Sequence, residues 1–390
     1  MAQAISTEMK IDDLIARFKT ILNDDLEIDR VIFYKKEENW ELFLKTNCPE
    51  RIVESIDVER DLLQYTDITF ISTSQNAILQ EFDIIIPVVQ NNVQLAFILI
   101  ADTKDFVKGV SSTIKHLNFV QTLSIIIFVA IENLRLFHKT LEQEAMRKEL
   151  ELASKMQGLL IPSQESLPQS QWLTIHSYYR PHLEVGGDFY DVIQLSKDEI
   201  GFCIADVSGK GISAALLMSN FQANLRALFT HDITLTGLIE KLNERVMGTA
   251  KGERFITIFI GRYNSVRKTL EFVNAGHNPP IMYNVESKKM TMLTEGCVGL
   301  GMLDEIPVMN IGSTRVTQHT KLICYTDGLV EYTKNDKVEF GTQFIEDIIA
   351  NPHDVKNNIE SLVNSRFGIE GSKEIVIFDD ISILAFEFFP

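Results

Sequence analysis

A chain of 390 residues, 45% hydrophobic and 23% charged, is too long for one ordinary core and too apolar to stay disordered, so two domains are expected. Its 37 basic and 54 acidic residues leave a net charge of −17, which argues against nucleic acid as the main partner because an acidic surface repels phosphate backbones. Four separated cysteines, Cys48, Cys203, Cys297 and Cys324, make no zinc or C-x-x-C spacing and read as reduced thiols of a cytoplasmic protein.

The first residues, MAQAISTEMK, lack the basic-then-apolar pattern of a secretion signal. Ile11, Leu14, Ile15, Phe18 and Leu22 then recur at helical spacing. Strand-like runs follow at Arg30–Tyr34, Trp40–Leu44, Ile68–Ile71, Phe82–Val89 and Val93–Ala101, the last two joined by Gln90-Asn91-Asn92 as a hairpin. From Leu117 to Leu160 helical character is continuous. Its most apolar part, Leu117–Phe137, is broken or flanked by Asn118, Gln121, Glu132, Asn133 and Arg135, so no membrane span is expected. Leu134, Phe137, Leu141 and Ala145 form one stripe, which Met146, Leu150, Ala153 and Met156 continue out of phase; burial in a parallel dimer would stabilise such a helix. After Pro162 and Pro168, strand-like runs (Trp172–Tyr179, Phe189–Leu195, Ile200–Ala205, Phe255–Tyr263, Thr269–Asn274, Lys321–Tyr325, Ile381–Phe388) surround two helices, one marked by Ile212 to Leu228 and one by Leu235 to Val246. The mixture predicts layered α/β packing rather than a βαβ repeat.

In this third region aspartates recur at strand ends: Asp188 before Phe189, Asp206 after Ala205, Asp327 after Thr326, and Asp379 and Asp380 before Ile381. A single Asp-Gly is only a turn signal. Four carboxylate sites at the ends of apolar strands carry more weight. Gathered together they would repel one another unless a cation neutralised them. Hard divalent ions with oxygen ligands, Mn²⁺ or Mg²⁺, suit such a cluster, and a pair of ions can clamp a phosphoryl group for in-line displacement.

Ordered motifs sharpen this reading: ELELASKMQGLLIPSQ from Glu149, EVGGDFYD from Glu184, ADVSGKGISAALLM from Ala205, RFITIFIG from Arg254, NAGHNPP from Asn274, GLGM from Gly299, YTDGLVE from Tyr325 and DDISIL from Asp379. Together they closely resemble the stage II sporulation protein E-type branch of the type 2C metal-dependent serine/threonine phosphatases. The resemblance implies an α-β-β-α sandwich with two Mn²⁺ or Mg²⁺ ions at one edge. It implies Asp188 and Asp206 as metal ligands and catalytic residues, with Asp206 bridging, Val207 giving its backbone carbonyl, and Asp327 and Asp379 completing the site. Asp380 is either the ligand in place of Asp379 or an acid behind it. The implied substrate is a phosphoserine or phosphothreonine on a regulatory protein, commonly an anti-sigma factor antagonist. Rival readings are a catalytically inactive binding module and a hydrolase of small phosphoesters.

The larger relatives carry a His shortly after the bridging Asp; here Ser208 stands there, which leaves the general acid unassigned. His277 lies in a turn and reads as turn-stabilising, while Lys210 either attracts phosphate or is a solvated loop lysine. No arginine near the start of this region offers itself for the substrate phosphate. The N-terminal region resembles a GAF-type sensor domain through FDIIIPVV, VQLAFILIAD and AIENLRLF, with a small-molecule ligand or dimerisation as its role. The expected organisation is a sensor over 1–136, a helical linker over 137–162 that dimerises as a coiled coil, and a phosphatase domain over 163–390.

Overall fold

A computed structural model describes residues 10–26, 28, 30–71, 76–90, 93–101, 117–334, 337–367 and 379–390. The chain divides into two compact units, Met1–Ala145 and Met146–Pro390.

In the first unit, helix α1 (Ile11–Thr20) continues into a π-turn, Ile21–Asp25. Strands β1 (Arg30–Lys36) and β2 (Trp40–Thr46) precede two short helices, α2 (Glu50–Ser55) and α3 (Val58–Asp61). Strands β3 (Thr69–Phe70), β4 (Ile84–Gln90) and β5 (Val93–Ala101) complete an antiparallel sheet of order β2-β1-β5-β4-β3. The predicted turn residues Asn91 and Asn92 lie outside the described residues. Ile84, Ile85 and Ile86 are all fully buried, because both faces of this sheet are covered. Leu14 and Phe18 pack with Ile84, Ile86 and Ile98 on one face, and Ile52, Val58 and Leu62 pack with Ile85, Phe97 and Leu99 on the other.

Helix α4 (Leu117–Gly158) is the one described helix long and apolar enough to cross a membrane by length and composition. Its Val120, Leu123, Ile127 and Ile131 side chains are instead core of the first unit. Further along, Leu136, Phe137, Leu141, Met146, Leu152 and Met156 are half-exposed or more, so the apolar stripe leaves its first core and continues uncovered.

The second unit contains two stacked sheets. One holds β7 (Phe189–Ser196), β8 (Glu199–Val207), β9 (Ile256–Asn264), β10 (Thr269–Ala275), β13 (Gly296–Cys297) and β14 (Gly312–Arg315), mostly as antiparallel neighbours. The other has the order β12-β11-β15-β18-β6, from β6 (Leu173–Arg180), β11 (Ile281–Asn284), β12 (Lys289–Met292), β15 (Thr320–Tyr325) and β18 (Ile381–Phe388). Phe202 of β8 meets Phe386 of β18 at 4.2 Å between ring centroids, which fixes the buried interface between the sheets. The opposite face of the first sheet carries Phe189, whose ring packs against Phe221 of helix α5 (Ile212–Leu228). Helix α6 (Leu235–Ala250), started by the Thr234 hydroxyl accepting from the Gly237 N–H, packs beside α5. On the far face of the second sheet, Ile323, Ile383 and Ala385 are covered by Ile345 and Ile349 of α7 (Gln343–Ile349) and Ile359 and Leu362 of α8 (Val355–Phe367). The layers therefore run helix, sheet, sheet, helix, as expected. A small hairpin, β16 (Glu331–Lys334) with β17 (Lys337–Phe340), follows the β15 turn.

Candidate metal centre

Strand register gathers the aspartates. Phe189 pairs with Ala205 across β7 and β8, so the next residues outward are Asp188 and Asp206. In the other sheet Tyr325 pairs with Ile383, and the Thr326 N–H donates to the Ser382 carbonyl, so the chain beyond β15 runs past the start of β18. Antiparallel neighbours put the end of one strand beside the beginning of the next, and the stacking brings these ends to one edge. Asp206 and Val207 are the last two residues of β8, slightly later than the sequence pattern placed the strand end. Asp327 opens a 3₁₀ turn, Asp327–Leu329. A side chain at Gly187 would bring its Cβ to 2.9 Å from the Val207 carbonyl oxygen, so glycine is what allows the Asp188 loop to close on the end of β8.

Asp188 is almost fully buried, and its Oδ2 accepts from the hydroxyls of Thr326 and Ser382, each at 2.7 Å. Burial pushes its carboxyl well above the usual range, and the charges of Asp206 and Asp380 add to the rise, while the two hydroxyls oppose it. Asp206 is pushed up to about 8, first by burial and then by Asp327, Asp379 and Asp380. Asp327 rises to about 6 by burial, with Asp379 and Glu331 adding repulsion. Lys210 works against both rises; its ammonium stands 2.8 Å from Asp379 Oδ2. Asp206, Asp327, Asp379, Thr257, His277 and Asn278 line a cavity of about 300 Å³.

The two terminal aspartates differ in role. Asp380 accepts from backbone N–H groups with both oxygens: His182 at 2.7 Å on Oδ1, Gly187 at 2.7 Å and Asp188 at 3.4 Å on Oδ2. It ties down the loop that carries Asp188. Asp379 faces the cavity.

The donor set fits divalent cations. These are hard oxygen donors on a partly buried edge, and burial with mutual repulsion raises the proton affinity of Asp188, Asp206 and Asp327. Among the described residues no three His, Cys, Asp or Glu side chains surround a single point. The one imidazole among the residues lining the cavity, that of His277, is turned to Thr257 Oγ1 through Nδ1 at 3.1 Å, and no cysteine lines it.

Several supporting residues escaped sequence reasoning. Thr326 and Ser382 sit inside the motifs YTDGLVE and DDISIL, but nothing in a linear pattern shows two hydroxyls meeting on one carboxylate. Gln157, near the end of α4, exchanges hydrogen bonds with the Gly186 backbone at 2.6 and 3.0 Å and so fixes the Asp188 loop from the other side. Arg254 donates to the Ser208 carbonyl and, at 2.7 Å, to Ser213 Oγ, bracing the turn between β8 and α5. Gly209 in that turn has φ of +84°, and an added Cβ would collide with the Arg254 guanidinium. Ser208 pairs with Phe255 through backbone and hydroxyl bonds at 2.9 Å. The His277 N–H donates to Asn274 Oδ1 at 2.8 Å and its Nδ1 meets Thr257 Oγ1 at 3.1 Å, which is a turn-stabilising arrangement. Burial pushes its pKa down to about 4, so the imidazole is neutral at pH 7.

Residues 196–389 match the family model for stage II sporulation protein E (SpoIIE). The chain is 27% identical over 268 residues to protein IcfG of Synechocystis sp., an alignment that covers 61% of this chain and 41% of that protein. It is 28% identical over 196 residues to the phosphoserine phosphatase RsbU of Bacillus subtilis, covering 50% of this chain and 57% of the relative. It thus spans about half the length of these curated relatives. The solved SiaA-PP2C domain of Pseudomonas aeruginosa shares the fold at a TM-score of 0.53 and 18% identity, over 63% of this chain and 98% of that one.

Proposed function

We propose, from the premise that residues 196–389 belong to the stage II sporulation protein E family, that this chain is a cytoplasmic, metal-dependent protein phosphatase. Its substrate in this reading is a phosphoserine or phosphothreonine of a regulatory partner protein, an anti-sigma factor antagonist, as the family resemblance implies. The observation that carries the proposal is the convergence of Asp188, Asp206, Asp327 and Asp379 at one edge of the stacked sheets, where burial and mutual repulsion raise the proton affinities of the first three.

Asp206, Asp188, Asp327, Asp379 and the Val207 carbonyl would hold two Mn²⁺ or Mg²⁺ ions. Bound there, the ions supply Lewis-acid polarisation of the phosphoryl group and lower the pKa of the attacking water. The protein's own work is to hold these oxygens in place. Thr326 and Ser382 orient Asp188, Asp380 and Gln157 fix its loop, and Arg254 braces the turn after Asp206. The His277 imidazole, neutral and in contact with Thr257 Oγ1 through Nδ1, is not poised to give up a proton at pH 7. A second cavity of about 570 Å³ shares Gly276 and His277 with the carboxylate cavity and is lined by Pro279, Val298, Pro307 and Val308. Room for apolar side chains beside the site supports a polypeptide substrate over a free nucleotide.

Regulation in this reading comes from the N-terminal unit, a GAF-like sensor over 1–136 that takes a small-molecule ligand or serves to dimerise. A linker over 137–162 connects it to the phosphatase domain over 163–390. The uncovered stripe of Phe137, Leu141, Met146, Leu152 and Met156 supports a homodimer along that helix. Light scattering on a Leu141→Glu/Leu152→Glu variant is expected to report a monomer; an unchanged dimer would remove the helix from the interface.

The decisive assay compares phosphate release from a phosphoserine-bearing regulatory protein and from a free nucleoside monophosphate, with Mn²⁺ and with a chelator. Mn²⁺-dependent release from the phosphoprotein at the higher kcat/KM is expected. Faster nucleotide hydrolysis would make the chain a small-phosphoester hydrolase, and release unaffected by chelation would contradict the metal-dependent reading.

A further inference from the structure

Lys210 occupies the turn between β8 and α5, flanked by Gly209 and Gly211 at φ of +84° and +77°. Its ammonium pairs with Asp379 Oδ2 at 2.8 Å, with the lysine side chain 45% and the aspartate 29% exposed. Asp379 is also a wall of the carboxylate cavity, together with Asp206 and Asp327. The positive charge is felt beyond its direct partner, since it lowers the proton affinity of Asp206 and Asp327 alike. The turn itself is held independently of this ion pair. Arg254 grips the Ser208 carbonyl and Ser213 Oγ, and the Ser208 hydroxyl accepts from the Phe255 N–H. The ammonium can therefore leave Asp379 by rotation of its own flexible stem, without moving the backbone that carries Asp206.

We propose that Lys210 is a built-in counter-cation of the metal centre, which neutralises Asp379 in the metal-free protein and must be displaced before a divalent ion engages that carboxylate. The proposal rests on reading the carboxylate cluster as a metal centre. Electrostatics sets the direction. A +1 ammonium beside Asp379 both competes for the carboxylate and repels an incoming +2 ion, so the lysine weakens metal binding while it protects the empty cluster from self-repulsion. A partly exposed ion pair contributes modestly, which keeps the lysine displaceable and makes it a tuner of affinity rather than a block.

Mn²⁺ titrated calorimetrically into the metal-free full-length chain tests this. Lys210→Gln is expected to tighten Mn²⁺ binding about two- to fivefold, while Lys210→Arg, which keeps the charge, stays near wild type. Thermal unfolding of both variants checks that the turn still folds. Mn²⁺ binding to Lys210→Gln that is unchanged or weaker, with wild type binding normally, would overturn the role of Lys210 alone. Absence of Mn²⁺ binding by wild type would remove the metal centre itself and this proposal with it.

Discussion

Two aspartates three residues apart, one just before β7 and one within it, meet burial in opposite ways. Asp191 is fully buried, and the Arg226 guanidinium of α5 grips it with two bonds, Nε to Oδ2 at 2.7 Å and Nη2 to Oδ1 at 2.9 Å. Asp188 is buried almost as deeply, yet its nearest donors are neutral hydroxyls and its charged neighbours are other carboxylates. One is a finished ion pair that pins a helix to a strand. The other lies in a carboxylate cluster whose negative charge Lys210 offsets only in part. A buried charge with its own arginine is architecture, whereas a cluster without one supports the proposed cation site.

The contrast can be broken at either end. Asp206→Asn should reduce Mn²⁺-dependent phosphate release by about 10³-fold or more while circular dichroism stays native, since it removes the carboxylate central to the cluster. Retained turnover would end the comparison outright. At the paired end, Arg226→Met should destabilise the protein by about 3 kcal/mol in denaturant unfolding, because it strands Asp191 in the core, and should leave Mn²⁺ affinity unchanged.

Acidity sharpens the difference. Asp206 and Asp327, at about 8 and about 6, bind protons more tightly when folded than their unfolded value of 3.8. Their contribution to stability is therefore greatest below pH 4 and is lost as pH rises through 6 and then 8. Metal-free protein should lose stability steadily between pH 5 and pH 8, and Mn²⁺ or Asp206→Asn should flatten that slope. A metal-free stability that climbs over this range would show the carboxylates to be satisfied already. The smallest effect is expected from Ser382→Ala, which takes one hydroxyl from Asp188 and should weaken Mn²⁺ about tenfold by calorimetry with little change in fold.

Much of this was legible in the sequence. The helices at Ile212–Leu228 and Leu235–Ala250 and the strand Ile381–Phe388 follow directly from apolar spacing, and Asp-Gly after an apolar run marks a strand end. Helix α8 is not legible there. Val355, Ile359 and Leu362 keep helical spacing, but Asn357, Asn358 and Ser361 between them lower helix propensity, so the sheet it covers stabilises it. The short strands β11 to β14 carry too few residues to show a period of two and exist through their neighbours. The difference between Asp379 and Asp380 was likewise invisible in a linear Asp-Asp. It emerges only once the His182–Asp188 loop folds back and gives its N–H groups to Asp380.

Crystals grown with Mn²⁺ and measured at the manganese absorption edge test the central claim most directly. Two anomalous peaks are expected in the cavity walled by Asp206, Asp327 and Asp379, with the Val207 carbonyl in reach. Density that shows no manganese there, or places it only on exposed surface carboxylates, would contradict the account.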